Sequence, residues 1–211
     1  MGMTQIERVI AAARGELGYS ESPAGSNRTK YGQDYGWDGV PWCVIFLWWC
    51  FVKARLAYAF FGGGRTASCG TLYQWYKAQG LTVRVEEAQP GDIALLNFHG
   101  GTEAEHCGLV IEAGDGWVRT IEGNTSEAKS QSNGGMVCEK VRLYRYVVGV
   151  CRPMYKEEPE TDWDGHWAAE HIRRAIDSDT MTGYEDGTWL PDKPVTRAEL
   201  AVILDRLGLL N

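Results

Sequence analysis

The chain has 211 residues, 44% of them hydrophobic and 23% charged, with a formal net charge of −7. This length suits one medium domain with its own core plus a small appendage. There is no basic excess to hold nucleic acid, and the longest apolar stretch, Val44 to Val52, is too short to span a bilayer. The acidity is local: residues 1–155 hold 15 Lys+Arg against 15 Asp+Glu, whereas residues 156–211 hold 6 against 13. The start, MGMTQIERVIAAARGELGY, has no basic lead, apolar run or cleavage site. The expectation is therefore synthesis in a cytosol without a signal peptide.

Met3 to Leu17 is predicted as an amphipathic helix with Ile6, Val9, Ile10 and Ala13 on one face. A polar, Gly-rich loop is expected from Gly18 to Val40. Pro41 is expected to open a second helix, PWCVIFLWWCFVKA, since proline suits a helix's first turn. That helix is apolar on nearly every side and so should be buried. Thr71 to Gln79 is a further predicted helix. From Pro90 the pattern turns to strands, DIALLNF, HCGLVIEA, WVRTIEGN and VRLYRYVVGVC, separated by Gly-rich turns. Helices first and antiparallel strands second predict an α+β domain over residues 1–155. KEEPETD, residues 156–162, reads as a linker. Residues 163–211 read as a small all-α unit. It has one helix from Trp163 to Ser178 and another opened by the capping box Thr196-Arg197-Ala198-Glu199. The apolar faces are Ala168, Ile172, Ala175 and Ile176 on the first, and Leu200, Ile203, Leu204 and Leu207, expected inside, on the second.

Cys43 is placed at the second or third position of the buried helix. The positive end of the helix dipole and unpaired N–H groups there stabilise a thiolate. Such a nucleophile needs an imidazole partner and a group to orient the imidazole. His106 opens the strand HCGLVIEA, and the next strand returns after the turn Ala113 to Gly116. Folding that hairpin about Gly114 sets His106 opposite Glu122, within a residue of register. Period-two alternation puts Asn124 on the same face. The other cysteines, Cys50, Cys69, Cys107, Cys138 and Cys151, form no CxxC pair and are expected to be reduced and mostly buried. A zinc site of Cys43, Cys50, His106 and Cys107 has a spacing that fits no zinc pattern.

Residues 1–155 resemble a CHAP domain, the cysteine- and histidine-dependent amidohydrolase/peptidase family of phage lysins and bacterial wall enzymes. The matching pieces are PWCVIFLWWC, QPGDIALL, HCGLVIEAGDG and VRTIEGN, in that order. The resemblance implies a papain-like fold, a cysteine-bearing helix on an antiparallel sheet, shared with NlpC/P60 peptidases. It maps the family's catalytic set onto Cys43, His106, Glu122 and Asn124 and requires no cofactor, and Trp42, beside the nucleophile, is expected to bind substrate. Some members bind calcium in the loop before the nucleophile. Here that loop offers Asp34 and Asp38, two carboxylates for a cage of six to eight oxygens. Gly91-Asp92 is typical of the family and reads as a turn at a strand start.

The tail, from Trp163 to Leu207, resembles one S-layer homology (SLH) repeat, most clearly in GYEDGTWLPD and VTRAE. This implies binding to secondary cell-wall polymer, with Arg197 in contact with it. Such repeats normally come in threes, and a lone one cannot easily bury its own apolar faces, so a homotrimer through the tail is expected. Together the two resemblances imply an endolysin-like peptidoglycan hydrolase, phage- or prophage-encoded, that cuts an amide bond at the bacterial wall. The alternatives are an inactive wall-binding protein, an NlpC/P60-type endopeptidase, and a thiol or metal protein of the cytosol.

Overall fold

The computed structural model describes residues 3–127, 133–156, 161–184 and 188–210. The chain divides into two compact units, one of Gln5–Lys156 and the other of Met1–Thr4 with Glu157–Asn211. The linker segment lies mostly outside the described residues, as do Glu185, Asp186 and Gly187 of the GYEDG motif.

The larger unit is α+β, as its element order predicts. Helix α1, Gln5–Arg14, buries Val9 and Ala13. A short helix, α2, Lys30–Tyr35, lies in the stretch expected to be loop. Its ends carry ordinary signals: the Thr29 hydroxyl accepts from Gly32 N, and Gly36 terminates it at φ 83°. Helix α3, Cys43–Lys53, buries eight of its eleven residues, with Val44, Ile45, Phe46 and Leu47 wholly enclosed. Burying a side chain of that size contributes about 1.5–3 kcal/mol, so α3 anchors the core. It begins two residues after Pro41, because Trp42 is its N-cap with non-helical φ −120° and ψ 16°. Helix α4, Cys69–Ala78, starts earlier than predicted because Ser68 caps it, accepting from Thr71 N.

Six strands form one antiparallel sheet: β1 Thr82–Val83, β2 Ile93–Leu96, β3 His106–Gly114, β4 Trp117–Thr125, β5 Met136–Leu143 and β6 Val147–Cys151, in the order β1-β6-β2-β3-β4-β5. The run VRLYRYVVGVC is two strands and not one. A turn at Tyr144–Tyr146 breaks it, so β5 pairs with β4 at one edge while β6 crosses to β2 and β1. Cys107, Leu109, Ile111 and Ile121 face the helices. Ala94, Leu96, Val110 and Val118 cluster on the other face. Gly91-Asp92 is structural: the buried Asp92 carboxylate receives Arg152 at 2.9 Å and 3.0 Å.

Helix α3 packs closely on β4 at Gly123. A Cβ there would stand 2.6 Å from Phe46 Cβ and 2.7 Å from Trp42 Cζ3. Only a glycine lets α3 lie on β4 at this distance, and that contact fixes where the start of α3, and therefore Cys43, sits against the sheet.

The smaller unit has two described helices, α5 Ala169–Asp177 and α6 Arg197–Arg206. Trp163, Ala169 and Ile172 are buried together, with Ala168, Ile176 and Trp189 against them. The predicted capping box is present: Glu199 N donates to the Thr196 hydroxyl and Thr196 N to the Glu199 carboxylate. The expected interior of α6 is not. Leu200 is 45% exposed and Leu207 52%, and α6 buries no residue. One two-helix repeat has too little surface to cover both apolar stripes, and α5 takes what there is.

Candidate active site

Cys43 is the first residue of α3 and 6% exposed. First-turn N–H groups and the helix dipole favour a thiolate at that position. Two further thiols reinforce it. Cys69, first residue of α4, has its sulfur 3.7 Å from that of Cys43, and Cys107 reaches up from β3. Hydrogen bonds from Cys107 and Cys69, together with one to His106 and its charge, hold the Cys43 pKa well below the ordinary thiol value despite burial. Burial has the opposite effect on Cys50, whose pKa is raised, and Cys50 is a core residue as expected.

His106 is the first residue of β3 and 1% exposed. Burial pulls its pKa down, but hydrogen bonds and charge from Cys43 and Glu122 outweigh this and lift it to about 9. Both shifts favour the charged pair, thiolate and imidazolium. Imidazole Nε2–H donates to Glu122 Oε2 at 3.0 Å, which leaves the other ring nitrogen for Cys43.

The partnership of His106 and Glu122 was expected, but its register differs. Leu109 pairs with Ile121 and Val110 with Thr120. Extending the ladder puts Gly108 opposite Glu122, so the imidazole meets the carboxylate diagonally. The two-residue turn Asp115-Gly116 and a register shift between Val110 and Glu112 account for the offset from a hairpin centred on Gly114. Gly108 makes the diagonal possible, because a Cβ there would stand 2.6 Å from Glu122 Cγ.

Glu122 is wholly buried and fully partnered. Arg142 grips both oxygens, Nε to Oε1 at 2.7 Å and Nη2 to Oε2 at 2.5 Å, and the Thr120 hydroxyl donates to Oε1 at 2.6 Å. Burial alone would raise the Glu122 pKa, but Arg142 and His106 bring it down to about 2. Cys43, His106, Glu122 and Arg142 thus form a buried line of alternating charge. Such a line is sustainable out of water because every member is bonded. Arg142 and Thr120 were missed in the sequence. The available signal was the even-residue alternation Val118, Thr120, Glu122 facing a neighbouring strand, and that strand's register was unknown.

Asn124 is 2% exposed and turns elsewhere. Its φ is 57°, at a register shift between Glu122 and Thr125, so the alternation argument fails there. Its amide accepts from Gly135 N and donates to Asn133 Oδ1, both at 3.3 Å, and no described hydrogen bond joins it to His106.

Trp42 is a correction. It is wholly buried against Tyr31, with ring centroids 5.4 Å apart, and its indole N–H donates to Glu21, so it offers a substrate no surface. Asp34 accepts from Trp49 Nε1 at 2.8 Å and Asp38 from Thr29 N at 2.9 Å. These carboxylates tie down the loop, and among the described residues they belong to no group of three or more His, Cys, Asp or Glu ligand atoms. Arg197 is exposed at the start of α6. A cleft of about 480 Å³ in the same unit is lined by Tyr184, Trp189, Lys193 and Arg206 but not by Arg197. No helix among the described residues is long and apolar enough to cross a membrane.

Comparison with known proteins agrees with these features. A family model of the CHAP domain matches residues 34–124, the span that holds Cys43, His106, Glu122 and Asn124. A second, of the S-layer homology domain, matches residues 161–201. A cellulosome-anchoring protein of Acetivibrio thermocellus is 45% identical over 49 residues, 21% of this chain and 11% of that protein's length. Two solved structures are similar in part. One, described as similar to a lipoprotein of the NLP/P60 family from Staphylococcus aureus, has a TM-score of 0.43 at 15% identity over 72% of this chain and 42% of its own. The other, the wild-type endolysin LysIME-EF1, has a TM-score of 0.47 at 17% identity over 74% of this chain and 67% of its own. This chain therefore carries a CHAP domain over residues 34–124 and an S-layer homology domain over residues 161–201.

Proposed function

We propose that the chain is an endolysin-like peptidoglycan hydrolase that cuts an amide bond of the bacterial wall and is held there by its tail. The observation that carries this reading is the buried line Cys43–His106–Glu122, with every oxygen of Glu122 engaged. The Cys43 thiolate attacks the amide carbonyl. N–H groups at the start of α3 stabilise the oxyanion. The His106 imidazolium gives its proton to the departing amine, then takes one from the water that releases the acyl group. Glu122, clamped by Arg142 and Thr120, holds the imidazole in one orientation and balances its charge. Asn124 takes a lesser part, shaping the end of β4. The bond is either muramoyl–L-alanine or a peptide bond of the stem or bridge. Residues 1–155 form the hydrolase, 156–162 the linker and 163–211 the wall-binding module, in which Arg197 contacts the secondary polymer.

Digestion of purified peptidoglycan tests this, with mass spectrometry of the new ends. Free L-alanine amino termini with intact muramic acid carboxyls identify an amidase. New termini within the stem or bridge identify an endopeptidase of the NlpC/P60 kind. Binding without any new ends is the outcome for an inactive wall-binding protein.

A further inference from the structure

Cys43, Cys69 and Cys107 come from three separate elements, the first residue of α3, the first residue of α4 and the second residue of β3. All three are buried, and their sulfurs lie within 4.8 Å of one another, with Cys43 and Cys69 at 3.7 Å. Among the described residues this is the only group of three or more potential metal ligands so arranged. A zinc–thiolate bond is about 2.3 Å long, so sulfurs sharing one tetrahedral zinc stand about 3.8 Å apart. The trio already approaches that spacing without a backbone change.

We propose that Cys43, Cys69 and Cys107 form a binding site for one thiophilic cation such as Zn²⁺, and that occupation silences the enzyme. The silencing, though not the binding, rests on the hydrolase reading above. The surroundings fit the ligand. Two helix starts point at the cluster, and their dipoles favour the anionic charge of three thiolates. His106 hydrogen-bonds Cys43 from outside the three-sulfur group, so the fourth position is left to water or another small ligand. The proton balance is simple. Each cysteine binds as thiolate, any thiol proton leaves to solvent as its sulfur–metal bond forms, and no electron moves. Cys50, buried further along α3, is outside the cluster. The set differs in this from the zinc grouping weighed on sequence spacing. Cys69 replaces Cys50, which a helix starting 26 residues away could not reveal.

The test uses the full chain, stripped of metal and kept reduced with a phosphine. Cadmium titration followed by its thiolate charge-transfer absorption is expected to saturate at one ion per chain. X-ray absorption of the zinc-loaded wild type is expected to show three sulfur neighbours at about 2.3 Å. Cys69→Ser and Cys107→Ser should each weaken binding by more than about a hundred-fold, beyond what losing an outer-shell partner costs. Cys50→Ala should leave it unchanged. Coordination by nitrogen and oxygen alone, or equal loss in Cys50→Ala, overturns the site even if the serine variants do not fold. Wall lysis by the metal-free chain is measured first, and its absence defeats the hydrolase reading while the stoichiometry and the absorption spectrum still decide the site. With lysis present, one equivalent of zinc should abolish it and a chelator restore it. Full lysis by the zinc-saturated chain overturns the silencing.

Discussion

Gly108 lies directly beneath the Glu122 side chain, so close that a Cβ would stand 2.6 Å from Glu122 Cγ and 2.9 Å from Thr120 Cβ. The missing side chain lets the carboxylate run diagonally to His106 and take up Arg142 at the same time. Gly108→Ala is therefore expected to displace Glu122 and lower the rate of lysis while binding to the wall is kept. Overpacking of this kind costs about 1–3 kcal/mol, which thermal unfolding will register. Gly123→Ala, at the helix–sheet contact, should cost a similar amount by pushing α3 off β4. Unchanged lysis in Gly108→Ala would show that the diagonal geometry is not needed.

Cys43→Ser is expected to abolish lysis and leave the fold intact, because a serine hydroxyl does not ionise near neutral pH as a thiol can. His106→Ala should be about as inactive, since the two groups act as one unit. Turbidity loss of a susceptible wall suspension reports both. Clearing by Cys43→Ser at the wild-type rate would remove the cysteine mechanism.

Glu122→Ala should be far more damaging than Asn124→Ala, in activity and in stability. Removing Glu122 leaves Arg142 and the imidazolium buried without their shared anion, a loss in the range of about 3–5 kcal/mol. Among the described residues the Asn124 side chain bonds to Gly135 N and Asn133 Oδ1. The reverse ranking would make Asn124 the orienting group.

The pH dependence follows from the same line. His106 is raised from 6.5 to about 9, so its stabilisation is complete below about pH 6.5 and is lost as pH rises through about 9. Glu122 is lowered from 4.5 to about 2, so its contribution is present above about pH 4.5 and is lost as pH falls through about 2. Lysis should hold through neutral pH and fall with an alkaline limb near 9, where the imidazolium that protonates the leaving amine disappears. A limb near 6.5 instead would mean that Cys43 and Glu122 do not hold that proton.

Much of this site was readable in the chain because its parts are local. A cysteine at a helix start, and a histidine and a glutamate on the two arms of one hairpin, follow from proline, glycine and alternation. What escaped depends on contacts distant in sequence or on single-residue insertions. Arg142 and Cys69 reach the site from elements whose register or approach no periodicity reveals. The two-residue turn Asp115-Gly116, only partly offset by the register shift in β3, moved the partner of Glu122 from His106 to Gly108. Trp42 looked like a substrate contact because it adjoins Cys43. At a helix N-cap, adjacency in sequence put it inward, against Tyr31.

The last expectation concerns assembly. Helix α6 exposes Leu200, Val202 and Leu207, and beyond it Leu209 and Leu210 are 64% and 50% exposed. Exposed leucine and valine on consecutive turns favour association, and repeats of this type are expected to work in threes. Three copies of the chain, joined through their tails about a threefold axis, would cover α6 and give the wall three linked binding modules, with a gain in avidity. Light scattering should give a trimer for the full chain and a monomer for a chain ending at Tyr155. Leu200→Glu with Leu207→Glu should turn the trimer into monomers and weaken wall binding, while the hydrolase rate on soluble fragments stays the same. A full chain that remains monomeric at micromolar concentration defeats the trimer.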